Sequence, residues 1–175
     1  AFDIAPANLP MNRWMQIVGK SFDENGELAR SGSVDAEVFQ KAINLAFFQQ
    51  KGPKSLGTEW LDKNYLPLFE VLALPDKLRT HIEVLKTLCI REFERLDLKT
   101  VYVTGGGAHN QFLIEALQQS FSGKLIIPEP ALIDYKEALI FAFLGARYLR
   151  NETTTLCEVT GAKEALRTGV LHDFE

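Results

Sequence analysis

The chain has 175 residues, of which 46% are hydrophobic, and its formal net charge is −4 at pH 7. A chain of this length can bury a sizeable core and usually forms one domain. Its acidic balance argues against nucleic-acid binding, which needs clustered lysines and arginines. The longest apolar run, residues 138–145, is too short to span a bilayer. The composition therefore predicts a soluble protein whose partners are neither nucleic acids nor membranes.

Hydrophobic periodicity predicts helices that alternate with short strands. The predicted helices are 11–19, 34–50, 75–97, 111–117 and 136–149, and the predicted strands are 101–104 and 124–127. The chain also opens with a short strand pattern that ends at Asp3. This order predicts an α/β fold in which helices cover a partial sheet.

A glycine turn is the most informative stretch of the sequence. Within residues 101–110, an alternating strand pattern leads into Gly105, Gly106 and Gly107 and then into a helix. Glycine has no Cβ, so a ligand can approach the backbone, and the helix N-terminus that follows favours anionic groups. The turn lacks the Lys-Ser/Thr pair of a P-loop and the acidic residue that a dinucleotide fold places at the ribose. It could also serve only to connect strand and helix.

Asp3 is the first candidate for catalysis. At the end of the predicted opening strand, before the turn that contains Pro6, its carboxylate would project from the carboxyl edge of a sheet. Carboxylates are apt general bases because they can accept a proton from water at neutral pH. Asp3 could instead cap the turn by accepting a backbone N–H, which is the commoner role of Asp beside Pro.

Five separated segments, in this order, resemble the C-terminal half of an anhydro-N-acetylmuramic acid kinase, a family within the sugar kinase, actin and Hsp70 ATPase superfamily. They are residues 1–8, 51–59, 104–110, 134–143 and 159–163. The resemblance extends over nearly the whole chain. It implies that residues 1–175 form a single ribonuclease-H-like lobe of a two-lobe kinase, with the N-terminal lobe absent from this chain. The start at Ala1, inside a predicted strand, suggests a fragment.

The resemblance implies an ATP-dependent kinase that hydrolytically opens 1,6-anhydro-N-acetylmuramic acid and phosphorylates it at O6. The product would be N-acetylmuramic acid 6-phosphate, in peptidoglycan recycling. Asp3 would be the general base that activates water, and Asn8 and Glu137 would bind the sugar. The implied nucleotide-binding residues are Gly105, Gly106, Gly107 and Asn110. Mg²⁺ would accompany ATP.

The chain departs from the family pattern in two ways. Ala5 and Ala7 stand where family members commonly have glycines, which removes easy access to positive φ. The phosphate-binding segment Gly-Thr-Ser-x-Asp-Gly-x-Asp does not occur in the sequence. Because phosphoryl transfer needs groups from both lobes, we expect the isolated chain to be inactive. The alternatives are a non-catalytic nucleotide-binding or chaperone-like module of the superfamily, and a kinase for another amino sugar.

The remaining candidates have simple structural explanations. Glu137 is predicted to open a helix, where the helix dipole would stabilise an acid without any role in binding. Cys89 and Cys157 lie in dissimilar contexts, which predicts reduced thiols in the cytoplasm and no disulfide. No metal-binding spacing joins the three histidines. The expected partners are the amino sugar and ATP, and a homodimer remains open.

Overall fold

The computed structural model describes residues 1–170 and 172. The chain divides into two compact units, Ala1–Glu129 and Pro130–Glu175. The first unit is mostly helical and contains a small parallel sheet. The predicted α/β class is therefore confirmed in this general form, whereas the ribonuclease-H-like lobe stays a prediction.

Short and long helices make up most of the first unit. They are α1 (Asn8–Gln16), α2 (Glu27–Ser31), α3 (Ala36–Ile43), α4 (Ala46–Gln49), α5 (Thr58–Trp60), α6 (Leu74–Arg95) and α7 (Gln111–Ser120). Three 3₁₀ turns cover Glu24–Gly26, Leu66–Phe69 and Gly106–His109, and a π-helical turn covers Leu61–Tyr65. The predicted helix 34–50 is divided into α3 and α4, because Leu45 leaves the helical region with ψ 138°.

The sheet consists of two parallel strands, β1 (Thr100–Tyr102) and β2 (Lys124–Ile126), with α7 between them in the chain. Val101 pairs with Leu125 at the centre of the register. Both strands confirm the predicted positions to within two residues. The glycine turn therefore follows the carboxyl end of β1, as the sequence predicts.

The strand predicted at the start of the chain is not formed. Residues 1–4 have no strand assignment, and the backbone bond described for this segment runs from the Asp3 N–H to the Lys54 carbonyl, at 3.0 Å. A strand requires a partner along its length, and a single bond to a loop does not supply one. The prediction that Asp3 ends a strand at a sheet edge was therefore wrong for this structure.

Helix α6 forms the centre of the hydrophobic core. Its apolar residues recur every three or four positions, which gives the helix one buried face. This face packs against α2, α3 and α7. An aromatic cluster formed by Trp14, Tyr65 and Phe69 surrounds His81 of α6, with the Tyr65 and Phe69 ring centroids 4.9 Å apart. The first unit therefore has a core of its own.

Two helices begin earlier than the sequence predicts. Helix α1 begins at Asn8, and α8 (Pro130–Leu149) begins at Pro130, where the predictions gave residues 11 and 136. Prolines in the first turn explain the difference, because proline is tolerated where no N–H donor is needed. Glu137 consequently lies about two turns into α8. The prediction that Glu137 opens its helix was wrong.

The second unit contains α8, α9 (Cys157–Thr160) and a folded-back C-terminal segment. The N–H groups of Thr154 and Thr155 donate to the Leu166 carbonyl at 2.9 and 3.2 Å. Helix α8 has one buried residue, Ile133, and many large apolar side chains exposed. Within the described part of the chain, no helix combines the length and apolar character needed to cross a membrane.

Candidate functional site

A cavity of about 360 Å³ lies in the first unit, between the start of α1, the glycine turn and the turn that follows Phe22. This volume is within the range of small-molecule sites, which begins at roughly 300 Å³. The lining residues are Asn8, Met11, Asn12, Phe22, Asp23, Glu24, Asn25, Gly106, His109 and Asn110. The cavity is the candidate binding site of the first unit.

The cavity brings together residues predicted from separate motifs. Asn8 and Gly106 both line it, although they lie far apart in the sequence. A Cβ on Gly106 would come within 2.9 Å of Asn8 Nδ2, whereas one on Gly107 would lie 3.6 Å from Asn8 Oδ1. The Asn8 amide therefore packs onto the glycine turn, and the missing Cβ at Gly106 permits this approach.

Gly105 has a different requirement for glycine. Its backbone adopts φ 76° and ψ −179°, a combination that is essentially restricted to glycine. An added Cβ would meet nothing within 4 Å, so the requirement is conformational and not steric. Gly105 therefore shapes the turn without lining the cavity.

Asn110 has a structural role in addition to its place in the cavity wall. Its side-chain Oδ1 accepts a hydrogen bond from the Leu113 N–H at 3.0 Å, which makes it the N-cap of α7. One of the helix N-terminal donors is thereby satisfied, so less of the N-terminus is available for an anion than the sequence predicts. Contact between Asn110 and a nucleotide stays a prediction.

The turn after Phe22 forms a wall that the sequence analysis did not assign to the site. The Asp23 carboxylate accepts hydrogen bonds from two backbone N–H groups of α2, each at 2.9 Å. Gly26 has φ 73°, and a Cβ there would lie 2.7 Å from the Phe112 Cβ and would also collide with Asn110 Oδ1. The turn therefore rests directly on the N-terminus of α7.

The charge of the lining suggests which part of a ligand it can hold. Asp23 and Glu24 are acidic, and none of the described lining residues is a lysine or arginine. This balance disfavours a polyphosphate and favours hydroxyl groups, which carboxylates and amides can bind. Phe22 is 60% exposed and offers an aromatic surface to a base or sugar ring. The lining fits a nucleoside better than a polyphosphate.

Asp3 lies outside the lining and is exposed. Its Oδ2 accepts hydrogen bonds from the Leu56 N–H at 2.7 Å and from the Ser55 hydroxyl at 3.2 Å. Asp3 is therefore held by a loop from elsewhere in the chain, and not by the turn beside Pro6. Among the described residues, none donates to Oδ1, so this oxygen is available to a ligand or a water molecule.

Lys54 supports the same loop from its inner side. Its Nζ donates to the Phe47 carbonyl at 3.0 Å and lies 4.7 Å from the centroid of the Phe47 ring. Partial burial lowers the pKa of Lys54 from its ordinary 10.5, and the charge of Glu92 opposes this effect. The Lys54 ammonium group therefore binds the carbonyl and ring of Phe47, and these contacts give no support for a role in phosphate binding.

A buried pair, Tyr65 and His81, reaches the backbone beside the cavity. His81 Nε2 lies 2.9 Å from the Ala7 carbonyl oxygen, and His81 Nδ1 lies 2.8 Å from the Tyr65 hydroxyl. Because a carbonyl only accepts, Nε2 carries the proton and the Tyr65 hydroxyl donates to Nδ1. Burial lowers the pKa of His81 to about 4, so the ring is neutral at pH 7. Burial also raises the pKa of Tyr65.

The side chains that could hold a metal ion are those of His, Cys, Asp and Glu. Within residues 1–170 and 172, no three side chains of His, Cys, Asp or Glu are grouped to hold a metal ion. Both cysteines are free thiols, and burial raises the pKa of Cys89 to about 12. Glu137 is an exposed residue of the second unit, and its contact with a sugar stays a prediction.

Comparison with known proteins gives a consistent result. A model of the family described as "Anhydro-N-acetylmuramic acid kinase" matches residues 1–173. A protein of that name from Paraburkholderia xenovorans (strain LB400) is 35% identical, over 98% of this chain and 50% of the relative. Others from Legionella pneumophila (strain Paris) and Francisella tularensis subsp. novicida (strain U112) are 32% and 28% identical, over 98% and 99% of this chain and 49% of each relative.

The chain therefore spans about half the length of the curated relatives it matches. These matches do not support its placement in the C-terminal half, which stays a prediction. Since the family match covers nearly the whole sequence, the chain belongs to the anhydro-N-acetylmuramic acid kinase family.

Proposed function

We propose that this chain contributes the general base and the nucleoside site of an ATP-dependent kinase. The complete enzyme would open 1,6-anhydro-N-acetylmuramic acid and phosphorylate its O6. The names of the relatives support the substrate class. The observation that carries the proposal is the cavity in which Asn8, from the first motif, meets Gly106 and Asn110 of the glycine turn. Placement in the C-terminal half and a ribonuclease-H-like lobe belong to the same proposal.

Asp3 would act on water. In the anhydro sugar, O6 is bonded to the anomeric carbon and cannot take a phosphoryl group until that bond is broken. Asp3 would accept a proton from the water that attacks the anomeric carbon, and O6 would leave that carbon. O6 would then bond to the γ-phosphorus of ATP while the bond from that phosphorus to the β,γ-bridging oxygen breaks and ADP leaves. The engagement of Oδ2 by Leu56 and Ser55 supports this role, because it orients the carboxylate and leaves Oδ1 open.

The glycine turn and Phe22 would hold the nucleoside of ATP, which supplies the transferred phosphoryl group, and Asn8, expected to bind the sugar, would line the same cavity. The phosphates need cationic partners, and the described lining contains no lysine or arginine. We propose that these partners, and the ligands of Mg²⁺, lie in the remainder of the kinase. For this reason the 175-residue chain alone should form no sugar phosphate. Dependence on ATP and the free thiols favour a cytoplasmic location, and homodimer formation stays open.

The substitution Asp3→Asn in the complete kinase tests the proposal. Asparagine keeps the size and can still accept from Leu56, but it cannot take a proton, so kcat should fall about a hundredfold or more while both substrates still bind. Asp35→Asn is the matched control, since Asp35 caps α3 by accepting from the Val38 N–H at 2.8 Å. Asparagine is a good N-cap, so this variant should keep its kcat. Steady-state kinetics with a normal kcat for Asp3→Asn would remove the catalytic assignment.

The two alternatives, a non-catalytic module and a kinase for another amino sugar, predict different outcomes in binding and activity assays. The substitutions Ala5 and Ala7 favour a non-catalytic module, and Ala7, with φ −89° and ψ −102°, lies outside the main regions open to residues with a Cβ, although neither residue has positive φ. A complete protein that binds ATP but phosphorylates no amino sugar would support that module. Turnover of a different amino sugar alone would support a related kinase.

The parent sequence tests the placement. A Gly-Thr-Ser-x-Asp-Gly-x-Asp segment upstream of this chain would support the C-terminal half, and the same segment downstream would contradict it.

A further inference from the structure

The backbone between Asp3 and Asn8 accepts a hydrogen bond from a side chain of the protein interior. His81 of α6 donates from Nε2 to the carbonyl of Ala7, the residue directly before α1. His81 is 0% exposed. His81 neither lines the cavity nor binds the Asp3 carboxylate, yet it binds a carbonyl of the backbone that joins them.

The Ala7 carbonyl depends on this bond more than the cap carbonyls of α3, α6 and α7 depend on any side chain. In α3, α6 and α7 the carbonyl of the cap residue accepts the N–H four residues later. The bonds are Phe39 to Asp35 (2.9 Å), Lys77 to Ala73 (2.9 Å) and Ile114 to Asn110 (3.0 Å). Ala7 has ψ −102°, and the corresponding bond from Met11 is not formed in the described structure. The Ala7 carbonyl is directed to His81 instead.

Tyr65 and the aromatic rings keep His81 in a single orientation. The Ala7 carbonyl requires the proton on Nε2, the Tyr65 hydroxyl donates to Nδ1, and the Trp14 and Phe69 rings lie with centroids 5.7 and 6.3 Å from that of His81. A protonated ring would need the Tyr65 hydroxyl as an acceptor, and the hydroxyl proton would then lose the partner it has in Nδ1. His81 is thus a rigid link between two fixed partners, and not a residue arranged for proton transfer.

We propose that His81 is a positioning residue for the segment that carries Asp3 and Asn8. Its Nε2–H holds the Ala7 carbonyl, which sets the direction of the backbone toward Asp3 on one side and Asn8 on the other. The consequence for turnover rests on the proposed function, whereas the consequence for the segment's backbone rests on the geometry alone.

Two substitutions separate the bonds that His81 makes. The amide nitrogen of His81→Gln reaches the position of Nε2 and can donate to Ala7. The side-chain oxygen of His81→Asn reaches only the position of Nδ1 and can accept from Tyr65. In the complete kinase we expect His81→Asn to lower kcat about ten- to a hundredfold and to raise the KM for ATP several-fold, because Asp3 and Asn8 both lose their positions. His81→Gln should lose less than about threefold in kcat.

Hydrogen exchange gives a measurement that does not depend on activity. The Asp3 N–H is bonded to the Lys54 carbonyl and reports whether the segment keeps its place. In the 175-residue chain, amides of residues 2–8 should exchange faster in His81→Asn and at the wild-type rate in His81→Gln. Val84→Ala is the control, because Val84 is a fully buried residue of α6 outside this hydrogen-bonded set. It should lower the Tm without changing exchange in residues 2–8 or kcat.

The outcomes distinguish this inference from the proposed function. Faster exchange of residues 2–8 in His81→Asn alone supports positioning, even if the complete wild-type protein proves inactive with the anhydro sugar, a result that would reject only the proposed function. Equal exchange in the three variants would overturn the positioning role. Equal losses of kcat in His81→Asn and Val84→Ala would also overturn it, since destabilisation would then explain the loss.

Discussion

The two ends of the segment 3–8 are held in different ways. At one end, exposed Asp3 accepts hydrogen bonds from Ser55 and Leu56 on a surface loop. At the other end, the Ala7 carbonyl accepts from buried His81. A hydrogen bond at the surface is exchanged with water at little net gain, whereas a buried group that loses its partner costs about 1–3 kcal/mol. The buried end therefore fixes the segment, and the exposed end leaves a carboxylate that a ligand can reach.

Among these tests, lowering the pH should cause the largest loss of stability, because it acts on the buried His81 ring. Burial lowers the pKa of His81 from its ordinary 6.5 to about 4, so between these pH values the unfolded chain binds a proton that the folded chain does not. The stability contributed by the neutral ring is complete above pH 6.5 and is lost as the pH falls toward 4. At 1.36 kcal/mol for each pH unit, the loss amounts to about 3 kcal/mol.

Urea unfolding at pH 7, 5.5 and 4 measures this loss. The matched variant is His81→Gln, which cannot titrate and should have a shallower pH dependence over the same interval. Identical pH dependence in both proteins would show that His81 does not titrate as its burial implies.

Tyr65→Phe should have the next largest effect. It removes the hydroxyl that donates to His81 Nδ1 at 2.8 Å and leaves a buried acceptor without a partner, which costs about 1–3 kcal/mol in the free energy of unfolding. Tyr102→Phe provides the comparison, because Tyr102 is 53% exposed and should change stability by less than about 0.5 kcal/mol. If both substitutions lower the free energy of unfolding by the same amount, the buried hydrogen bond contributes no more to stability than an exposed hydroxyl does.

Gly106→Val tests the cavity side of the segment. An added Cβ would come within 2.9 Å of Asn8 Nδ2, so the Asn8 amide must move. In the complete kinase we expect about tenfold weaker ATP binding, equivalent to about 1.4 kcal/mol, and a smaller change in sugar binding. Gly145→Ala is the control, since a Cβ there meets nothing within 4 Å. Unchanged ATP affinity in folded Gly106→Val would leave the glycine turn as a connector only.

Ser55→Ala should have the smallest effect. It removes one exposed hydrogen bond to Asp3, while the Leu56 N–H still donates to the same oxygen at 2.7 Å. Stability should change by less than about 0.5 kcal/mol, and kcat by less than about threefold. Thermal unfolding and kinetics measure both quantities. A loss as large as that of His81→Asn would mean that the exposed end also fixes the segment.

The sequence predicted the elements that depend on local pattern. Helix α6 matches the predicted 75–97 to within two residues, because its buried face repeats at helical spacing. The prediction of an opening strand was wrong, because strand formation depends on a pairing partner that a local pattern cannot reveal. The break at Leu45 was also missed, because residues 34–50 keep their apolar spacing across it.

The candidate site was predicted in part for the same reason. Asn8, Gly106 and Asn110 belong to recognisable motifs, and they meet at one cavity. The wall after Phe22 was not predicted, because its place depends on contact between Gly26 and the start of α7. His81 was assigned to a helix without a role. The available signal was a histidine beside the apolar positions of α6, although sequence could not show that it reaches Ala7.

The hydrogen atom that Gly26 carries in place of a side chain lets the turn after Phe22 lie against the start of α7. Gly26 does not line the cavity, but no larger side chain fits between its turn and the Asn110 cap. Because the N-cap bond to the Leu113 N–H holds the Asn110 side chain in place, and because tightly packed groups yield little, the two walls keep this spacing. A single methyl group at position 26 would act as a spacer that moves one wall outward. The size of ligand admitted could thus be redesigned from a residue that touches no ligand.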